Sequence, residues 1–220
     1  MSFHVKPTKL IDCRAHGVDS AAELFIVEGD SASLAVARAR NADFQAVLPM
    51  QGKPLNARKA SKTAVSRNDM LRVLIESLGA GWDQQFDLQR LRYSRVLLLF
   101  DPDADGIHCG ALMLMFFHRW MPALIESGRL SVVRPPLCEF TSRQYSSSIH
   151  AFSDDHARQV REALEAKQIA YAMKRFRGLA SLSESSLVTK CLDPHTRHAD
   201  VLSGDDAAAA LAIFGGIGRG

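Results

Sequence analysis

Asp101, Asp103 and Asp105 alternate along D-P-D-A-D-G, directly after the apolar run Arg95-Val-Leu-Leu-Leu-Phe100. So much negative charge at one strand end is costly without a cation. Hard carboxylate oxygens suit Mg²⁺, which takes one or two carboxylates and fills its other positions with water and phosphate oxygens. The pattern points to phosphate chemistry. A calcium-binding EF-hand loop opens with the same letters, but its twelfth position would be Leu112 where a bidentate Glu belongs, and a strand precedes it where a helix should. An ordinary acidic turn is the plainer alternative. Against it stands Glu28, which also closes a short apolar run, Glu23-Leu-Phe-Ile-Val27. In an open α/β sheet the carboxyl ends of parallel strands line one crevice. Two such strands bring Glu28 to the aspartates, as a metal cage whose remaining acid can carry a proton.

The elements that must position these residues alternate. Glu23–Val27 reads as a buried strand followed by a turn and a helix start with Ser31 as N-cap. A second strand, Phe44 to Leu48, stops at Pro49, and Asn68 to Leu78 has helical spacing. Arg95–Phe100 has the continuous apolar character of a parallel strand covered on both faces. From Ile107 to Ser127 the pattern is helical and apolar almost all round, with Pro122 kinking or restarting it. Leu130 to Val133 is a further strand, and Asp154 to Lys167 has helical composition. This alternation predicts an α/β fold with a mainly parallel sheet flanked by helices. The divisions fall at a linker-like segment over 1–21, the main domain over 22–141, a small helical subdomain over 142–204 and a frayed tail over 205–220.

A chain of 220 residues with nearly half its residues apolar buries one sizeable core. A formal charge of +3 is mild, so any nucleic-acid contact must come from local patches. Cys13, Cys109, Cys138 and Cys191 form no CxxC pair, which argues against a zinc cluster or a disulfide framework and for reduced thiols in a cytoplasmic protein. Neither a secretory signal nor a membrane span is expected, since the longest apolar run, Ala111 to Phe117, is far short of the ~20 residues that cross a bilayer.

Several ordered blocks carry a resemblance. Glu23-Leu-Phe-Ile-Val-Glu-Gly-Asp-Ser-Ala32, Leu48-Pro-Met-Gln-Gly-Lys-Pro-Leu-Asn56 and Asp101-Pro-Asp-Ala-Asp-Gly-Ile-His108 resemble the Toprim domain of the B subunits of bacterial type IIA topoisomerases, DNA gyrase and topoisomerase IV. The likeness begins at Lys9-Leu-Ile-Asp-Cys13 and continues to Lys174-Arg-Phe-Arg-Gly-Leu179 and Leu192-Asp-Pro194, so it covers nearly the whole chain. It implies that Glu28, Asp101 and Asp103 hold Mg²⁺, with Asp105 a supporting or alternate ligand. It also implies that Glu28 is the catalytic group exchanging a proton with the leaving 3′ oxygen, and that Lys53 and Asn56 approach the DNA backbone. Lys174, Arg175 and Arg177 resemble a basic block lying near DNA, and His108 matches a supporting histidine. Read without the resemblance, Lys53 is a solvated loop lysine, the basic block a solvated face, and His108 a packing residue. Arg90, Arg92 and Arg95 read as surface charge, while Trp82, Trp120 and the stripe Met113, Met115, Phe116 and Phe117 read as core.

In that family the strand-breaking tyrosine belongs to a partner A-type subunit. Tyr93, Tyr145 and Tyr171 match no such nucleophile, so this chain by itself is expected to break no DNA. No P-loop or other ATP site is present in the sequence, and any ATPase function is expected from another chain. Departures fall on the DNA-facing loops: Ser33-Leu34 stand for Gly-Gly, Gln51 for a basic residue, Pro102 for Ala, Cys109-Gly110 where an Arg is common, and Ala180-Ser181 for Gly-Glu. They spare the carboxylates. The readings left open are a catalytic metal half-site working on DNA with an A-type subunit, a non-catalytic modulator that binds DNA or a topoisomerase, and a free-standing Toprim nuclease.

Overall fold

The computed structural model describes residues 9–52, 54–56 and 60–214. Its first half alternates as the apolar runs demand: β1 (Glu23–Glu28), α1 (Gly29–Ala39), β2 (Gln45–Met50), α2 (Lys62–Arg67), α3 (Asp69–Leu78), β3 (Arg95–Leu99), α4 (Ala104–Trp120) and α5 (Pro122–Glu126). There follow β4 (Leu130–Val133), β5 (Cys138–Thr141), β6 (Ile149–Ala151), α6 (Asp154–Ala166), β7 (Ala172–Arg175), α7 (Glu184–Leu187), β8 (Ala199–Val201) and α8 (Gly204–Phe214). The main sheet runs β2-β1-β3-β4-β8, with the first four strands parallel and β8 antiparallel to β4.

Period-two alternation sorts the strand side chains onto two covered faces. Leu24, Ile26, Leu48 and Leu98 share a core with Leu74 of α3, Phe116 of α4 and Leu124 of α5. Phe25, Val27, Val47 and Leu97 share the other with Val36 of α1 and with Leu187, Cys191 and Leu192. Local signals set the helix ends. The Asn68 side chain accepts from Leu71 N at the start of α3, Gly79 closes it in the left-handed region at φ 69°, and Pro122 opens α5 right after α4 ends.

Several boundaries differ from the sequence reading. Ser31 lies inside α1, whose N-cap is Glu28 without a side-chain cap; Gly29, at φ 72°, makes the sharp exit from the strand. β2 runs through Pro49, which an edge strand tolerates because one row of its amides needs no partner. The smaller unit, read as helical over 142–204, is an antiparallel sheet β6-β5-β7 with α6 packed on it. That sheet straddles the 141/142 division. Residues of α7 and β8 return to the main body instead. Nor is 205–214 a frayed tail: it belongs to α8, whose Ala207 and Ala210 are buried in the same core as Met113, Phe116 and Phe117 of α4, and this second cover is why α4 is apolar nearly all round. Residues 215–220 lie outside the described ones. The four cysteines are buried and unbridged, and among the described residues no helix is long and apolar enough to cross a membrane.

Candidate metal centre

β1 and β3 are neighbours in register Val27↔Leu99. Glu28 therefore ends its strand beside Phe100, and Asp101 is the next residue along, on strands about 4.8 Å apart. Behind them the chain turns straight into α4, whose N-cap is Asp103: its Oδ1 accepts from Gly106 N at 2.8 Å. Gly106 itself is required by crowding, since a Cβ there would stand 2.1 Å from the Asp101 backbone oxygen. This is a close approach inside the helix. Asp105 is exposed in the same first turn.

Asp101 is half-buried, and its Oδ1 accepts from Leu179 N at 2.9 Å. A Cβ on Gly178 would come within 2.5 Å of its Oδ2, so the end of the basic block closes directly over this carboxylate. An apolar cavity of about 270 Å³ adjoins it, walled by Phe100, Pro102, Ile107, Leu114 and Val132. Burial raises the Asp101 pKa, the Leu179 amide partly offsets this, and the charge of Asp103 raises it further. A cation would relieve that conflict. Asp101 and Asp103 each keep an oxygen, Oδ2, beyond the one engaged by a backbone amide, so the donor set suits a hard divalent ion. The sequence displays the Arg-Gly-Leu string, but only the fold brings Gly178 and Leu179 onto Asp101.

The four strand-end carboxylates are not drawn tightly together. Among the described residues, the side chains whose ligand atoms all lie within 4.8 Å of one another are Asp12, Cys13 and His16. That cluster is a poor metal site. Arg92 Nη2 stands 2.6 Å from Asp12 and 2.9 Å from His16, and Tyr93 donates to Asp12 at 2.7 Å. Burial, then the charge of Asp12, push the Cys13 thiol up to about 11, and its Sγ donates to Ala15 O, whereas a metal needs the thiolate. The group instead clasps the N-terminal segment to the body, and Arg92, read as surface charge, is part of it.

The residues assigned to DNA have mixed placements. Lys53 lies outside the described residues. Asn56 Nδ2 donates to Phe214 O at 3.3 Å, and the His108 ring stacks on Phe214 with centroids 5.2 Å apart. Gln51 reaches back to Asp30 at 3.2 Å. Lys174 and Arg175 sit on the exposed strand β7, where Arg175 pairs with Asp154 at 2.5 Å and Lys174 lies over the Phe176 ring. Arg177 is exposed one residue before Gly178, which brings it near Asp101.

A Toprim domain model matches residues 23–135. The chain is 35% identical to the DNA gyrase B subunit of Archaeoglobus fulgidus over 208 residues, 94% of this chain and 32% of that protein. It is 36% identical to the gyrase B subunit of Thermotoga maritima over the same shares, and 35% identical to that of Thermus thermophilus over 94% of this chain and 33% of the relative. The chain thus spans about a third of the length of the curated relatives it matches. With the parallel sheet, the strand-end acids and the match over 23–135 in agreement, the chain belongs to the Toprim domain family.

Proposed function

We propose that this chain is the Toprim component of a type IIA DNA topoisomerase, supplying a Mg²⁺ site from Glu28, Asp101 and Asp103, with Asp105 in support. What carries the reading is the placement of Glu28 and Asp101 at the carboxyl ends of neighbouring parallel strands, with Asp103 capping the next helix. When bound, the ion would stabilise charge on a scissile phosphate and on the leaving oxygen. Asp101 and Asp103 hold the site rigid, because each is already fixed by a backbone amide. Glu28 gives a proton to, or takes one from, the 3′ oxygen, the same exchange serving cleavage and religation. Lys53, Asn56, Lys174, Arg175 and Arg177 would meet DNA phosphates, positioning the duplex without reading its sequence. His108 supports the first turn of α4. The tyrosine comes from an A-type partner.

The test mixes the full chain with an A-type subunit, DNA and Mg²⁺, and follows cleaved DNA. Glu28→Gln or Asp101→Asn should lower cleavage by about 10²-fold or more; unchanged cleavage ends the reading. A second readout needs no activity. Without divalent cations Asp101→Asn should unfold at higher urea than the parent, because it removes a charge that burial and Asp103 disfavour, and Mg²⁺ should narrow that difference. The contacts of Phe214 with Asn56 and His108 favour a second reading, a non-catalytic modulator of DNA or topoisomerase, because they engage one residue assigned to DNA and the supporting histidine. Suppression of a resident topoisomerase by parent and carboxylate variants alike would select it.

A further inference from the structure

Away from the strand-end acids, a cleft of about 480 Å³ lies between the small sheet and the main body. Its lining is basic: Arg134 from the end of β4, His156 from the first turn of α6, Lys190 and His198, together with Ser153 and Thr196. Phe152 forms part of the wall, its ring flanked by the His156 and His198 imidazoles at 6.2 and 5.9 Å between centroids. The neighbouring acids are matched by arginines already: Asp200 by Arg134 at 2.5 Å, Asp154 by Arg175 at 2.5 Å and Asp155 by Arg158 at 2.9 Å. Lys190 is half-buried and makes no ion pair among the described residues.

A second observation comes from His150. Its side chain is 8% exposed, 3.6 Å from Glu139, and its Nε2 has no hydrogen-bond partner among the described residues. Burial, then the charge of Lys190, hold this imidazole below the ordinary histidine range despite Glu139. Arg134 already has Asp200 as its anion, so the unmatched cation at the cleft, among the described residues, is Lys190.

We propose that this cleft is a phosphate-binding site, in which Lys190 supplies the charge, Arg134 its remaining guanidinium N–H groups, and His156 and His198 ring N–H donors. The shape of the donor set favours this ligand. A phosphate offers several acceptor oxygens at once, and charge-assisted bonds to it are the strong ones. Thr196 adds only wall, because its hydroxyl already donates to Thr189 O at 2.7 Å. A nucleic-acid backbone and a free anion present the same phosphate oxygens, and the site stands whether or not the carboxylates bind metal.

Inorganic phosphate is titrated into the full chain in EDTA, with the histidine ring signals followed by NMR. Saturable shifts of His156 and His198 are expected, and Lys190→Gln should weaken the affinity by about tenfold, as loss of one charge-assisted contact does. Lys167→Gln, exposed at the far end of α6 from His156, should change nothing. Should Lys190→Gln lower the unfolding midpoint, His198→Gln replaces it. A short duplex that shifts the same signals and is displaced by phosphate assigns the site to a backbone phosphate; a response to phosphate alone assigns it to the free anion. No saturation, or unchanged affinity in both variants, overturns the proposal. Because EDTA removes divalent cations, phosphate binding here reports nothing on metal binding at Glu28, Asp101 and Asp103, which separates this test from that of the metal reading.

Discussion

Asp12 shows how much one side chain can hold. Burial alone would raise its pKa, but hydrogen bonds from Tyr93, His16 and Arg92 outweigh that and hold it down, from 3.8 to about 2. A depressed carboxylate contributes stability above its unfolded value and loses it as pH falls through its folded one. Asp12→Asn should therefore cost about 2 kcal/mol at neutral pH. Chemical denaturation at a series of pH values should find that gap closing between 3.8 and about 2; a gap independent of pH would refute the clasp as an ionic one. Asp101 is the opposite case, raised by its burial. The contrast separates the two carboxylates: Asp12 has its cation in Arg92, and Asp101 has no ion-pair partner among the described residues.

At the scale of elements, α4 carries two glycines whose substitution should have opposite signs. A Cβ on Gly106 would meet the Asp101 backbone oxygen at 2.1 Å, and backbone cannot give way as a side chain can. Gly106→Ala should destabilise by about 2 kcal/mol. On Gly110 a Cβ would find only Phe100 Cδ2 at 3.7 Å. Ala there should stabilise by up to about 1 kcal/mol, since glycine is the poorer helix former. Urea midpoints of the two variants check the pair, and a stable Gly106→Ala protein would mean that α4 does not press on the Asp101 turn. The same helix displays what pattern reading misses. Apolar residues all round predicted burial, and Met113 to Phe117 are buried, yet nothing in the string named α8 as the cover. Alanine-rich and beside a Gly-rich end, 205–214 reads as weakly held; small side chains are what let it lie close against α4.

For the whole molecule, the lock is a buried ion pair 174 residues apart in sequence. Arg197 donates to both oxygens of Glu23, at 2.7 and 2.6 Å, with both side chains at most 5% exposed. Gln45 joins Glu23 at 3.0 Å and Leu192 O at 2.7 Å. The start of β1 is thereby tied to the segment entering β8, and the late chain to the early sheet. Arg197→Met would leave Glu23 buried without its partner and should cost about 3–5 kcal/mol. Adding Glu23→Gln should recover part of the loss in the same urea series, and strict additivity of the two changes would contradict the coupling.

What the sequence determined by itself was the parallel α/β core, the strand ends at Glu28 and Asp101 and the acids placed there. Continuous apolar runs, glycine exits and alternating carboxylates are local signals, each legible within about ten residues. Tertiary structure alone decided what lies against those acids and what surrounds them. The closure of Gly178-Leu179 on Asp101, the partnering of Arg92 with Asp12, the return of β8 to the main sheet and the basic cleft all join residues far apart in the chain. Their side chains read as ordinary loop charges until the fold sets their neighbours, because a charge has no assigned role until burial and a partner give it one.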